Sequence, residues 1–88
     1  MAGPGWTCAV DAETRATDVQ AVQRRIALKQ RDSGFESVIL LLSDTRHNRE
    51  FVRLGGDGLR AQFPIGARVA LQRLGEGQGP GGNAIILL

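Results

Sequence analysis

Asp11 and Glu13 stand two residues apart, at the far end of a segment whose apolar residues alternate from Trp6. On an extended strand that spacing points both carboxylates to one side. A hard cation suits such a pair, because Mg²⁺ takes one or two carboxylates and fills its shell with water or substrate phosphate. The plainer reading is two solvated acids at a strand end. A second cluster is Asp44-Thr45-Arg46-His47-Asn48-Arg49. N–H groups at a helix start, with Arg46 and Arg49 beside them, suit a phosphate. Asp44 or Thr45 as a cap, with the arginines on a solvated face, is the alternative. His47 is the only histidine and has no identified serine or cysteine partner for general-base work.

Gln20 follows Thr17 by three residues, the spacing of a capping box, and that structural role is sufficient for it. A further contact of Gln20 with a nucleophilic water or a base is the sharper alternative. Cys8, the single cysteine, falls mid-strand and reads as packing. The glycine-rich run from Gly75 to Gly82 invites comparison with phosphate loops, but no Lys-Ser/Thr follows and the next element is a strand. It reads as a flexible connector.

These residues need elements to hold them. Trp6 to Ala12 has the period of a strand. Thr17 opens a helix with Val19, Val22 and Ile26 on one face, closed by Ser33-Gly34. Arg24 and Arg25 lie on its polar flanks, and Leu28 lies nearly opposite the apolar face. Val38 to Leu42 is a continuous apolar run bounded by turn residues, as expected of a strand buried on both sides. A helix from about His47 to Arg53 breaks at Gly55-Gly56-Asp57-Gly58 and resumes briefly at Leu59. Gly66 to Leu74 reads as a short helix, and Ala84 to Leu88 as a third strand. The first five residues read as a disordered lead-in.

The order β-α-β-α-α-β therefore predicts one small α/β module, a three-stranded and mainly parallel sheet with flanking helices. Parallel neighbours bring the acidic pair and the arginine-rich turn to one rim, where ligands of open α/β sheets gather. Three short strands make a thin sheet, and Leu28 calls for a covering surface. A partner chain or a second copy completing the sheet, or a missing N-terminal half, meets that need; the reading favours the last, an incomplete domain.

Composition narrows the class. The chain has 88 residues, is 42% apolar and carries a net charge of +2. No apolar run has the roughly 20 residues that span a bilayer, and the start lacks the regions of a secretory signal. No Cys/His set has zinc spacing. The expectation is a cytoplasmic protein without membrane contact. Lys29 is the sole lysine among eleven basic residues. Arginine excess of this kind also follows from a GC-rich genome, so basic composition alone does not signal nucleic acid.

The strand ending in Asp11-x-Glu13-x-Arg15, the helix carrying Gln20 and the buried strand Val38 to Leu42 resemble the second half of the restriction-endonuclease-like core, the PD-(D/E)xK superfamily. Nearly the whole chain also looks like the C-terminal portion of uncharacterised proteins from high-GC bacteria, some with an N-terminal helix-turn-helix. The resemblance implies Asp11 or Glu13 as acidic ligand of Mg²⁺, and Gln20 as the helix glutamine of some members. The motif lysine has no clean match: Glu13 or Arg15 occupies its place. The preceding hairpin with its own aspartate is absent. Catalysis is therefore expected only with an upstream half supplied, and the isolated chain is expected to be inactive. The alternative from another class is a non-catalytic module that binds DNA, through Arg24, Arg25, Arg46 and Arg49, or a regulatory protein partner.

Overall fold

The computed structural model describes residues 1–88. Its elements are β1 (Ala2–Gly3), β2 (Trp6–Glu13), α1 (Val19–Ser33), β3 (Ser37–Leu42), α2 (Arg46–Gln62), α3 (Ala67–Gly75) and β4 (Ala84–Leu87). The α/β class and the dominant parallel pairing agree with the sequence. The sheet, however, has four strands in the order β1-β2-β3-β4, not three. β1 is the added strand, and it pairs antiparallel with β2. Its cause is local: Pro4 fixes φ at the second position of a tight turn, and Gly5 takes φ 80 at the third. Pro-Gly is a turn signal, and it folds the expected lead-in back onto Trp6 and Thr7.

β2, β3 and β4 are parallel, with Glu13 beside Leu42 and Leu42 beside Leu87. Period two divides their side chains between two layers. Ala9, Val38, Leu40 and Leu42 meet Val22 and Ile26 of α1 and Phe51, Leu59 and Phe63 from α2 and its end. Cys8, Ile39, Ala84 and Ile86 meet Ala70, on the opposite face, where α3 lies. The leading helix of each crossover, α1 and α2, thus covers one face, and α3 in the second crossover covers the other. The strand order never reverses, so the sheet has no topological switch point.

Two features differ from expectation and one agrees. Asp18, not Thr17, caps α1: its Oδ1 accepts the Ala21 N–H at 3.1 Å. The third helical residue is then Ala21, whose methyl cannot return a hydrogen bond, so no capping box forms and Gln20 lies exposed in the first turn. The expected break within the glycine cluster is there: α2 consists of two helical segments that meet at a kink where Gly56 has φ 53 and ψ −134. The Gly75–Gly82 connector is tied down: the Trp6 Nε1–H donates to Gly77 O at 3.0 Å, and an Arg73 Nη1–H donates to Pro80 O at 3.0 Å.

Candidate functional site

The two charged strand tips do share one rim. The Ser43 N–H donates to Glu13 O at 3.2 Å, directly linking the end of β2 to the end of β3. What joins the loops beyond them is Asn48, fully buried at the start of α2. Its Oδ1 accepts the Ala16 N–H at 3.0 Å, and its Nδ2 donates to Thr14 O and Ser43 O, each at 2.8 Å. His47 adds a bond from Nε2–H to Ala16 O at 2.5 Å. The carboxamide gives the buried Ala16 N–H and Thr14 O their partners and adds a second donor to Ser43 O, which also accepts the Thr45 N–H at 2.9 Å.

Asn48 and His47 are therefore built into the scaffold of the rim. Both Nδ2–H donors of Asn48 and its Oδ1 are engaged by backbone, and His47 donates its Nε2–H to backbone. Neither role was readable from the sequence, which placed both in the phosphate-binding set. A single asparagine beside a histidine on a polar helix start carries no mark of burial.

The acidic pair has a partner from its own chain. Asp11 and Glu13 face α1, as alternation with Ala9 dictates. Arg25, on the β2 side of α1, donates from Nε to Asp11 Oδ2 at 3.0 Å and from Nη1 to Glu13 Oε1 at 2.5 Å. Partial burial opposes the guanidinium charge, but the hydrogen bond to Glu13 and the fields of both carboxylates outweigh it, raising the Arg25 pKa above its ordinary value. The two carboxylates converge on one cation, and that cation is Arg25. A divalent ion fits only in part here: there is no third His, Cys, Asp or Glu to join the pair.

Asp44 is likewise engaged. Arg49 grips it with two parallel bonds, Nε to Oδ1 at 2.6 Å and Nη2 to Oδ2 at 2.9 Å, and this bonding holds the Asp44 carboxyl below its usual range. Thr45 caps α2, its hydroxyl accepting the Asn48 N–H at 3.1 Å. Of the predicted basic residues, Arg25 and Arg49 are thus held in ion pairs, whereas Arg24 and Arg46 are exposed and have none. Arg15, expected at the motif lysine's place, is also exposed and free of ion pairs. It stands between Thr14 and Ala16, both fixed by Asn48. Arg46 lies two residues before Asn48. The staple thereby places these two arginines on the same rim.

A cavity of about 200 Å³ lies at this rim, lined by Ala12, Glu13, Thr14, Leu41, Leu42, Ser43 and Leu88. A larger one, about 390 Å³, lies between the kinked half of α2 and β4, with Leu59, Phe63, Ile65 and Ile85 in its walls and Arg53 and Arg60 as its only charges. The sequence signal for it was the glycine cluster, which marks the kink but not the hollow. Cys8 is buried in the α3 layer, and burial raises its thiol pKa. No helix is long and apolar enough to cross a membrane. Compared with protein-family models, curated proteins and solved structures, the chain has no match in any of the three.

Proposed function

We propose that this chain is a non-catalytic binding module that holds a nucleic-acid phosphate backbone against the carboxyl-end rim through Arg15 and Arg46, with Arg24 as an outer contact. The observation that supports this most is the Asn48 staple. It fixes two arginine-bearing loops to each other while leaving both guanidinium groups free of internal partners. Unpaired arginine on a rigid support is suited to phosphate, because its fork loses little freedom on binding. The closed Asp11–Arg25–Glu13 group supports the absence of metal chemistry in this reading.

The test is fluorescence anisotropy of a short labelled DNA duplex and of its single strand, with and without EDTA. Binding that weakens with salt, ignores EDTA and is lost in the Arg15→Ala/Arg46→Ala variant is the expected outcome. Binding that is equal in that variant, or no binding at low salt, overturns it.

A second reading keeps the nuclease-like resemblance, and one observation favours it: Asp11 and Glu13 already share a cation. In this reading Mg²⁺ takes the place of Arg25 when an upstream half is present. Mg²⁺-dependent cleavage by a longer protein, with none by this chain, is what it requires.

A further inference from the structure

One edge of the sheet is open over most of its length. Cys8 turns its N–H and C=O outward, where they bond Met1 at 2.8 Å each way. Glu13 turns its C=O inward to β3. Strand alternation therefore sends the N–H and C=O of Val10 and of Ala12 outward as well. β1 pairs only with Trp6 and Thr7, so those groups meet no strand. The opposite edge is better protected: β4 is four residues long, and Ile65 bridges to it at Ala84. Short, covered edges are the ordinary defence against strand addition, and β2 lacks both devices.

The flanks of the open edge have a definite chemistry. Val10, on the α3 side of the sheet, is 39% exposed, and Leu28, one turn after Arg25 on α1, is 42% exposed. On the α1 side the Asp11–Arg25–Glu13 group carries two negative charges against one positive, a deficit of one positive charge. A second copy of β2 meets this edge poorly. Pairing Val10 with Ala12 in both directions sets Asp11 directly opposite Asp11, and like charges so placed are destabilising.

We infer that the Ala9–Glu13 edge of β2 receives an extended segment of a partner protein as an antiparallel strand, with apolar residues facing Val10 and a basic residue facing Asp11 and Glu13. Main-chain bonds to Val10 and Ala12 supply affinity, and the alternation of apolar and basic side chains supplies selectivity. The inference does not depend on DNA binding at the rim, since neither Val10 nor Ala12 belongs to the arginine set.

The probe is a terminally blocked Thr-Lys-Val-Lys-Val-Thr peptide, titrated into the full chain and followed by amide NMR and hydrogen exchange. Two controls accompany it: the same peptide with glutamates for lysines, and one with both valine nitrogens methylated. Expected are selective shifts and slowed exchange at the Val10 and Ala12 amides, with each control binding at least about tenfold more weakly. Equal binding of the N-methylated peptide overturns strand addition. Equal binding of the glutamate peptide overturns the basic partner. Val10 and Ala12 amides that are already protected without peptide, increasingly so at higher protein concentration, assign the edge to a second copy and overturn the proposal. A Leu28→Lys variant, altered on α1 rather than on the strand, is expected to keep its fold and, by repelling the lysines that face Asp11 and Glu13, to weaken the lysine peptide severalfold.

Discussion

Asn48 accepts the amide of Ala16 across 32 residues of sequence, at 3.0 Å, with both residues withdrawn from solvent. That one bond fixes the β2–α1 loop against the start of α2. Two further bonds from the same side chain, to Thr14 and Ser43, close the joint. Asn48→Ala leaves the buried Ala16 N–H without a partner and frees the half-exposed Thr14 O to water, while Ser43 O keeps the Thr45 N–H at 2.9 Å. The expected loss is about 1–3 kcal/mol, the cost of one buried group left unsatisfied. Asn48→Asp is expected to be at least as damaging, because it sets a carboxylate against two carbonyl oxygens. Urea unfolding of both variants checks this; a shift below about 1 kcal/mol in Asn48→Ala would show that water replaces the side chain freely.

Arg25 makes a separate prediction about cations. It is 43% exposed on its side chain, so the ion pairs with Asp11 and Glu13 contribute little to stability, about 1 kcal/mol or less after solvent screening. Arg25→Met keeps the apolar stem and removes the charge. The carboxylates then stand together without compensation, and Mn²⁺ is expected to broaden amide signals around Glu13 in the variant but not in the parent chain. Equal broadening in both means that Arg25 does not close the site and returns weight to the nuclease-like reading.

Much of this arrangement was legible in the sequence because it is local. The run Val38 to Leu42 announces a doubly buried strand, and its joining to the Trp6 segment by one helix dictates a parallel pair. Shared placement of the acidic pair and the arginine-rich turn follows from those two facts. What escaped was non-local pairing. Arg25 looks free until β2 and α1 are superposed, and Asn48 looks like one more polar residue until three backbone groups are seen to converge on it. Pro4-Gly5 was a local signal of a turn, but the two-residue strand it creates is too short to show periodicity.

Salt dependence distinguishes a phosphate rim from a merely sticky one. Each phosphate contact contributes about 0.9 to the slope of log K against log salt for duplex DNA. Arg15→Ala/Arg46→Ala is therefore expected to lower that slope by about two, whatever the sequence of the duplex. Arg49→Ala, which removes a guanidinium already bound to Asp44, is expected to change it far less. An equal fall in both variants would mean that general charge, not the stapled pair, carries binding.

Acid stability offers an independent check on the surface pairs. The hydrogen bond from Arg49 holds the Asp44 carboxyl below its usual pKa, and the one from Arg53 does the same for Glu50. A carboxyl depressed in the folded state stabilises it above the unfolded value, and that contribution disappears as pH falls through the folded value. Both groups are solvent-exposed, so the effect is small. The unfolding midpoint of Asp44→Asn/Glu50→Gln is expected to lie slightly below the parent's above about pH 5 and to merge with it once the pH falls below the lowered values of both carboxyls. A gap that widens on acidification contradicts the assignment.

The kink in α2 rests on Gly56, whose φ of 53 and ψ of −134 suit glycine but not an L residue. A methyl group there would meet no atom within 4 Å, so any penalty for Gly56→Ala is one of backbone alone. The expected cost is about 1–3 kcal/mol. Gly55→Ala fails for a different reason: its methyl would lie 2.1 Å from Leu59 Cδ1, and Leu59 is buried. Chirality separates the two causes. For a D residue the Gly56 angles are the mirror image of ordinary extended backbone, so D-alanine replaces Gly56 without strain and restricts the unfolded chain. Thermal unfolding of synthetic chains should therefore rank the D-alanine substitution of Gly56 at or above the parent, with the L-alanine substitution well below it. If both enantiomers destabilise equally, space rather than backbone angle limits this position, and α2 bends elsewhere.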